Sequence, residues 1–555
     1  MPVLKFRPER LEGLTGLSLG QIQELLFRLK CETEIAEGML EVEINPDRPD
    51  MYIGEGIARA ILGLVGKRLG WRRLDISSEW GEVVNEKPET RPYIAVAVVR
   101  NVNIDSEEYL EELIQFQEKL HDTIGRRRRK AAIGFHDLSK LPSRRLRYTM
   151  LPIDEAEFTP LGGSKPLSAS KILEETEQGV KYGGISLEAG KHPFLMSGDT
   201  IIAMPPVINS EYTRVEVGTR DLLIDVTGVD ARTVVKVLDI IVGGLSERPG
   251  AIVEKVRITT PDGEVWETPE YTTSTWKIDA NEASKLLGVP LQAEEQARLL
   301  SMMGHNAVVE GGTLRVEPPP YRVDLISWVD FAEDIAIALG YENIGFNTPT
   351  VDRPGKLLWE TVASRILRDL AVGLGFTEVM QLSLASPKLM EALGYKDVVE
   401  VANPVQFEYS VLRPTIISSI VSVLSRNQHA RKPVKVFEIG PVIVPGDPPR
   451  DRIVMGLGIL DNKVGFEDIQ AAVYSILRIL EVEFHPEPIE MPPLTPGRAA
   501  RLVGEAGTIA VLGEVRPEVL ENLQVEYPMA VAEIDVEVIA EWLSSRTRGQ
   551  NMGSR

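Results

Sequence analysis

The stretch Pro318–Ile344, PPPYRVDLISWVDFAEDIAIALGYENI, decides how the middle of this 555-residue chain is read. Trp328, Phe331, Ala332, Ile335 and Leu339 recur at helical spacing, and Gly340 follows the last of them, where a glycine ends helices at little cost. Four carboxylates, Asp324, Asp330, Glu333 and Asp334, lie in or just before that helix. At about 100° per residue, positions 330, 333 and 334 share a sector of about 100°. Exposed like charges so placed repel by about a few tenths of a kcal/mol per pair. A cation or basic partner relieves that cost, and hard oxygen ligands at this spacing suit magnesium. The same residues also suit a helix start, because Ser327 with Asp330 is a capping-box pattern and acidic residues favour a first turn. Spacing alone leaves both readings open.

The composition sets outer limits. Length suggests roughly three to five domains, and a 43% hydrophobic content can fill several cores. The net charge of −21 argues against a surface that coats nucleic acid, so any such contact needs a local basic patch or a partner. One cysteine, Cys31, excludes an intrachain disulfide framework and a cysteine-rich zinc site. The start MPVLKFRPERLEG has no apolar signal core, and no run of 18 apolar residues exists to span a membrane.

Working outward, four segments are expected. The first, 1–85, opens with a capping box at Ser18 and Gln21 and carries a strand around Glu41–Ile44 and a helix over Ile53–Leu64. The polar VNEKPETRP marks its end. The second, 86–265, mixes the strand-like YIAVAVVRNV with a helix at Glu107–Leu120, two further strand candidates and the helical ARTVVKVLDIIVGGLSE, which suggests an α+β domain. The third, 270–346, holds two short helices, a hairpin around GGTLRVEP and the acidic helix. The last, 356–545, alternates helices (TIISSIVSVLSRNQ) with strands (VKVFEIGPVIV, RIVMGLGIL).

Catalytic signatures are mostly absent. Gly66-Lys67 lacks the Ser or Thr and the first glycine of a phosphate-binding loop, Gly54-Glu55-Gly56 is half a dinucleotide fingerprint, and neither H-E-x-x-H nor G-x-S-x-G occurs. His121 and His136 flank a basic run and read as structural or surface groups. Arg126 to Lys130, RRRRK, reads either as a phosphate grip or as a solvated loop. In IIAMPPVINSEYTRVEVGTRDLLIDVTGVD, Asn209, Ser210, Glu211, Thr219, Asp225 and Thr227 stand at strand ends and turns, where side chains can converge on a pocket.

Together NPDRPDMYIGEGIARAI, LHDTIGRRRRKAAIGFHDL, MPPVINSEYTRV, DLLIDVTGVD, PPYRVDLISWVDFAEDIAIALGYENI and SRNQHARKPVKVFEIGPV resemble, in order, the phenylalanyl-tRNA synthetase β-subunit family of archaeal and eukaryotic type. The resemblance implies a cytoplasmic complex of two α and two β subunits that attaches phenylalanine to tRNA(Phe) with ATP and magnesium. The α subunit would hold the aminoacylation site. In the fold it implies, an α+β multidomain chain, the 86–265 segment is an editing-type domain that hydrolyses mischarged Tyr-tRNA(Phe), with Asn209, Glu211, Asp225 and Thr227 as pocket residues. The 270–346 segment would be a small DNA-binding-like helical domain, its Asp324, Asp330, Glu333 and Asp334 matching magnesium positions shared with the α subunit. The 356–545 segment would be a degenerate, non-catalytic class II synthetase-like antiparallel sheet: Arg413 and Arg426 fall in helical or turn contexts, and FEIG (Phe437–Gly440) shows no arginine partner. No C-terminal RNA-recognition module is recognisable, so anticodon binding of the bacterial kind is not expected. Two other classes remain: a scaffold of a synthetase complex whose editing pocket is defunct, and a metal-dependent nuclease or phosphatase centred on the acidic quartet.

Overall fold

Ile94 to Val99 are all apolar and all buried, which places the strand Tyr93–Arg100 inside a sheet covered on both faces. In the computed structural model, which describes residues 2–76, 78–350, 354–505 and 507–552, this strand belongs to a ten-stranded sheet. Along it run Ile208–Asn209, Thr200–Met204, Lys191–Ser197, Arg145–Pro152, Glu79–Asn85, Ile252–Thr259, Tyr93–Arg100, Leu222–Gly228 and Ala131–Asp137, with Val265–Thr268 pairing beside Ile252–Thr259. Glu79–Asn85 is parallel to both neighbours; the other pairings are antiparallel. Alternation divides the strand's burden: Ala95, Ala97 and Val99 join a core with Val234, Val237 and Ile241 of the helix Ala231–Leu245, whereas Ile94, Val96 and Val98 join a second core with Tyr148 and Ile258.

The two ends of this sheet meet. Asn209 Nδ2 on one end strand donates to Phe135 O on the other at 3.2 Å, and Arg128 Nη1 donates to Pro206 O and Val207 O at 3.2 and 3.0 Å. A cavity lies at that seam.

The chain divides into two units, Met1–Thr348 and Pro349–Arg555. Within the first, the expected segment edges shift. Glu79–Asn85, assigned by its position to the first segment, pairs into the large sheet between Ile252–Thr259 and Arg145–Pro152, so the turn after it joins two strands of one sheet. In the 270–346 segment the hairpin expected around GGTLRVEP forms from Asn306–Glu310 and Thr313–Glu317, and Trp276–Asp279 adds a third strand to it. The segment's Phe331 and Ile335 share one continuous core with Ile57 and Ile241.

In the second unit, a seven-stranded sheet includes Val434–Val444, Arg450–Leu460, Met529–Asp535 and Gly507–Val515, antiparallel except for the short edge strand Thr377–Glu378. Gly456 and Gly458 let the helix Ile417–Arg426 lie close, since a Cβ at either would stand 2.6 or 2.3 Å from Ile416 or Ile420.

Candidate functional site

The helix Glu107–Asp122 starts at Ser106, whose Oγ accepts the Tyr109 N–H at 3.2 Å. Its buried Leu113, Phe116 and Leu120 face the core. Leu110, Ile114, Gln117, Glu118 and His121, at helical spacing, line the seam cavity together with Leu113. This cavity measures about 530 Å³ and is closed by Ala132–Phe135, Pro205–Ser210, Thr213–Val215, Tyr182 and Asp225. Its lining mixes apolar side chains such as Leu110, Ile114, Phe135 and Val207 with polar and charged ones such as Gln117, Glu118, Asn209 and Asp225.

Asp225 is 2% exposed and is the carboxylate at the cavity floor. Its Oδ1 meets His136 Nε2 at 2.9 Å, and His136 Nδ1 meets Thr213 Oγ1 at 2.7 Å. Asp225 stands opposite Gly134 across the antiparallel pair. A Cβ on Gly134 would lie 2.1 Å from Oδ1, so only glycine admits the aspartate–histidine contact there. Among the described residues, no hydrogen bond from the protein reaches Asp225 Oδ2.

A second cluster forms the opposite wall. Ile133 N–H donates to His121 Nε2 at 2.8 Å, so the ring proton sits on Nδ1 and points to Glu118 Oε1, 3.0 Å away. Burial pushes the His121 pKa down. Burial also opposes ionisation of Glu118, but His121 and Arg128, whose Nη2 is 2.7 Å away, outweigh it and hold the carboxyl at about 2. Arg128 stacks over Tyr182 with 4.3 Å to the ring centre. Its turn is unusual, because Arg126, Arg127 and Arg128 all have positive φ (49°, 53° and 63°). Left-handed backbone costs about 1–2 kcal/mol per L residue, so surrounding bonds must impose it. Arg128 N–H donates to His121 O at 3.2 Å, Lys130 N–H to Gly125 O at 2.8 Å.

The four expected pocket residues separate. Asn209 and Asp225 line the cavity. Glu211 does not: its Oε2 accepts the Gly162 N–H at 2.7 Å and its Oε1 meets Arg214 Nη1 at 3.1 Å, so it braces two residues of the rim. Thr227 lies on the same strand face as Asp225 but is sealed beneath it, accepting Arg91 Nε at 2.9 Å on Oγ1 and Arg91 Nη2 at 2.7 Å on its carbonyl. Arg91 is fully buried, its Nη1 has no partner among the described residues, and burial pushes its pKa down to about 10. Sequence reasoning passed over Arg91, Gly134 and Thr213 entirely. It set His121 and His136 aside as structural; both are buried and hydrogen-bonded, and one touches Asp225.

The acidic quartet does not converge. Asp334 is buried, with Oδ2 at 2.6 Å from His305 Nε2 and 2.9 Å from Arg322 Nη2. Burial opposes its charge, but Arg322, His305 and Arg48 overcome this and hold its pKa well below the carboxylate range. Asp324 takes Arg322 on both oxygens, Nε at 2.9 Å and Nη2 at 2.7 Å. Asp330 Oδ2 accepts the Ile326 and Ser327 N–H groups at 2.6 and 2.7 Å, and Glu333 meets Lys30 at 2.9 Å. Among the described residues, no group of three or more His, Cys, Asp or Glu side chains is placed to hold a metal ion. The expected repulsion is relieved by the chain's own cations and helix cap, so the residues of this chain alone do not fit magnesium. In the second unit, FEIG does have an arginine partner: Arg413 Nη1 lies 2.7 Å from Glu438 Oε1 and from Ser419 Oγ, buried.

A phenylalanine–tRNA ligase beta subunit of Aeropyrum pernix is 53% identical over 98% of this chain and 100% of that protein. The chain belongs to the phenylalanine–tRNA ligase beta-subunit family. It is a subunit of an aminoacyl-tRNA synthetase, a ligase of protein biosynthesis. The corresponding beta subunit of Saccharolobus solfataricus is 38% identical over 96% of this chain and 97% of its own. Two family profiles match, the tRNA synthetase B5 domain over 276–341 and the phenylalanyl tRNA synthetase beta chain CLM domain over 347–536. A solved N-terminal fragment of the Pyrococcus horikoshii phenylalanyl-tRNA synthetase beta subunit superposes with a TM-score of 0.58 at 32% identity, covering 61% of this chain and all of that one. No helix among the described residues is long and apolar enough to cross a membrane.

Proposed function

We propose that this beta subunit hydrolyses tyrosine mischarged onto tRNA(Phe), using the seam cavity, while an alpha subunit performs ATP-dependent attachment of phenylalanine in a complex of two of each. The observation that carries the reading is Asp225, a buried carboxylate lining a cavity of about 530 Å³, with one oxygen held by His136 and the other without a protein hydrogen bond among the described residues. Apolar lining residues suit an aromatic side chain, and an acceptor at the floor suits the hydroxyl that distinguishes tyrosine from phenylalanine. A site built to hydrogen-bond a hydroxyl rejects the analogue lacking it, because the buried acceptor is then left unpaired.

The second unit supports a structural role in charging. Arg413, the buried arginine beside its sheet, is neutralised by Glu438, so its charge is already spent within the fold and not on a nucleotide phosphate. A magnesium ion shared with the alpha subunit would need most ligands from that partner, with Asp330 and Glu333, the members of the quartet nearest solvent, as this chain's share. No reaction step is assigned to it.

The test is release of tyrosine from Tyr-tRNA(Phe) by the assembled complex. Asp225→Ala should lower that rate by about 5- to 150-fold, as expected for a lost contact of about 1–3 kcal/mol to a discriminating group, and leave Phe-tRNA(Phe) formation unchanged. A wild-type complex that releases no tyrosine would mark the chain as a scaffold with a defunct pocket.

A further inference from the structure

We propose that the arginine turn beside the cavity, Arg126, Arg127 and Arg129, grips the phosphodiester backbone of the single-stranded 3′ end of an RNA whose terminal aminoacyl group enters the cavity. The proposal rests on the hydrolytic reading above and names how its substrate is held. In a chain with a net charge of −21, unpaired cations in a row are unexpected. Arginines nearby are spent: Arg128 on Glu118, Pro206 O and Val207 O, Arg214 on Glu211, Arg91 on Thr227. Arg126, Arg127 and Arg129 are exposed and, among the described residues, their side chains have neither an ion pair nor a hydrogen bond.

The backbone makes this arrangement deliberate. Gly125 opens the turn where a Cβ would lie 2.7 Å from both His121 O and Ala131 O, and positive φ angles follow at 126, 127 and 128. Arg128 is thereby turned into the cavity wall while its neighbours stay outside it, on the same short loop. Strain of this kind persists where it serves a site. A cavity of about 530 Å³ takes an aminoacyl group and little of a polynucleotide, so the chain's phosphates must lie outside its mouth. Guanidinium groups bind phosphate bidentately, and positive charges at a pocket mouth hold single strands with little regard to sequence.

The test uses the assembled complex and two substrates, Tyr-tRNA(Phe) and 3′-O-tyrosyl adenosine, which carries the same ester without phosphates. Replacing Arg126, Arg127 and Arg129 by Ala should raise KM for Tyr-tRNA(Phe) at least about tenfold with kcat nearly constant. The slope of log kcat/KM against log salt should become shallower by about 2, at roughly 0.7 per phosphate contact on a single strand. Hydrolysis of tyrosyl adenosine should stay within about twofold of wild type. Arg127→Glu alone, at an exposed position, should shift KM in the same direction. Unchanged KM and salt slope for Tyr-tRNA(Phe) would overturn the proposal and leave the hydrolytic reading intact, and so would equal losses with both substrates. A wild type inert toward both substrates would remove the hydrolytic reading and this one with it.

Discussion

Two aspartates in the first unit each touch a buried histidine, and they do opposite things. Asp225 meets His136 at 2.9 Å and opens on a cavity; Asp334 meets His305 at 2.6 Å and is sealed by Arg322 at 2.9 Å. In the sealed pair the carboxylate is neutralised by a guanidinium whose ion pairs, among the described residues, are with Asp324 and Asp334. In the open pair, among the described residues, no arginine touches the carboxylate and its second oxygen accepts no protein hydrogen bond. An aspartate–histidine contact is therefore not a functional signature by itself. What surrounds the second oxygen decides.

The largest effect that should separate them is on stability. Asp334→Ala takes from buried Arg322 and His305 the carboxylate they share, leaving Arg322 only Asp324, and should cost up to about 3–5 kcal/mol, read as a lower midpoint in denaturant. Asp225→Ala strands only a histidine and should cost less than half as much. Acid should act next. Burial pushes His192 down to about 4, so the unfolded chain, near 6.5, takes up that proton first. Its contribution is complete above about pH 6.5 and is lost as pH falls toward 4, on the order of 3 kcal/mol, and His192→Phe should flatten the unfolding midpoint across that window. Thr227→Val removes the hydroxyl that accepts Arg91 Nε and should cost about 1–3 kcal/mol. Its effect on tyrosine release should follow stability, since Thr227 lies beneath the cavity and not in it. Smallest is Glu333→Gln, which loses a half-exposed pair with Lys30 and should change stability by about 0.2–1 kcal/mol, less at high salt.

Much of the architecture was legible in the sequence, because periodicity reports burial directly. The helix Trp328–Leu339 begins at Ser327 with Asp330 closing its capping box, as the spacing indicated, and Glu107–Asp122 and Ala231–Leu245 follow their apolar stripes. The fate of the acidic quartet was not legible. Helical spacing places Asp330, Glu333 and Asp334 in one sector, yet that sector straddles the edge of the core: Glu333 is exposed and Asp334 buried. Relief came to each separately, to Asp334 from Arg322 and from His305, 29 residues away in the chain, to Asp330 from backbone N–H groups and to Glu333 from Lys30. Pocket residues divided for a similar reason. Asp225 and Thr227 share a strand face, but only the position facing the seam between the two sheet ends reaches the cavity, and which strands close a sheet is a property of the whole domain. His136 was visible as a residue and invisible as a partner, since its contact with Asp225 depends on strand register and on the missing side chain of Gly134.

The most direct measurement pairs Asp225→Ala with Asp334→Ala in the assembled complex and reads two quantities from each, tyrosine release from Tyr-tRNA(Phe) and the unfolding midpoint. Asp225→Ala should lose tyrosine release by about 5- to 150-fold with a modest change in midpoint. Asp334→Ala should lose midpoint heavily and, at a temperature where it remains folded, release tyrosine at close to the wild-type rate. Wild-type tyrosine release by Asp225→Ala, or a larger rate loss in folded Asp334→Ala than in Asp225→Ala, would contradict the assignment of the open pair to substrate and the sealed pair to the fold.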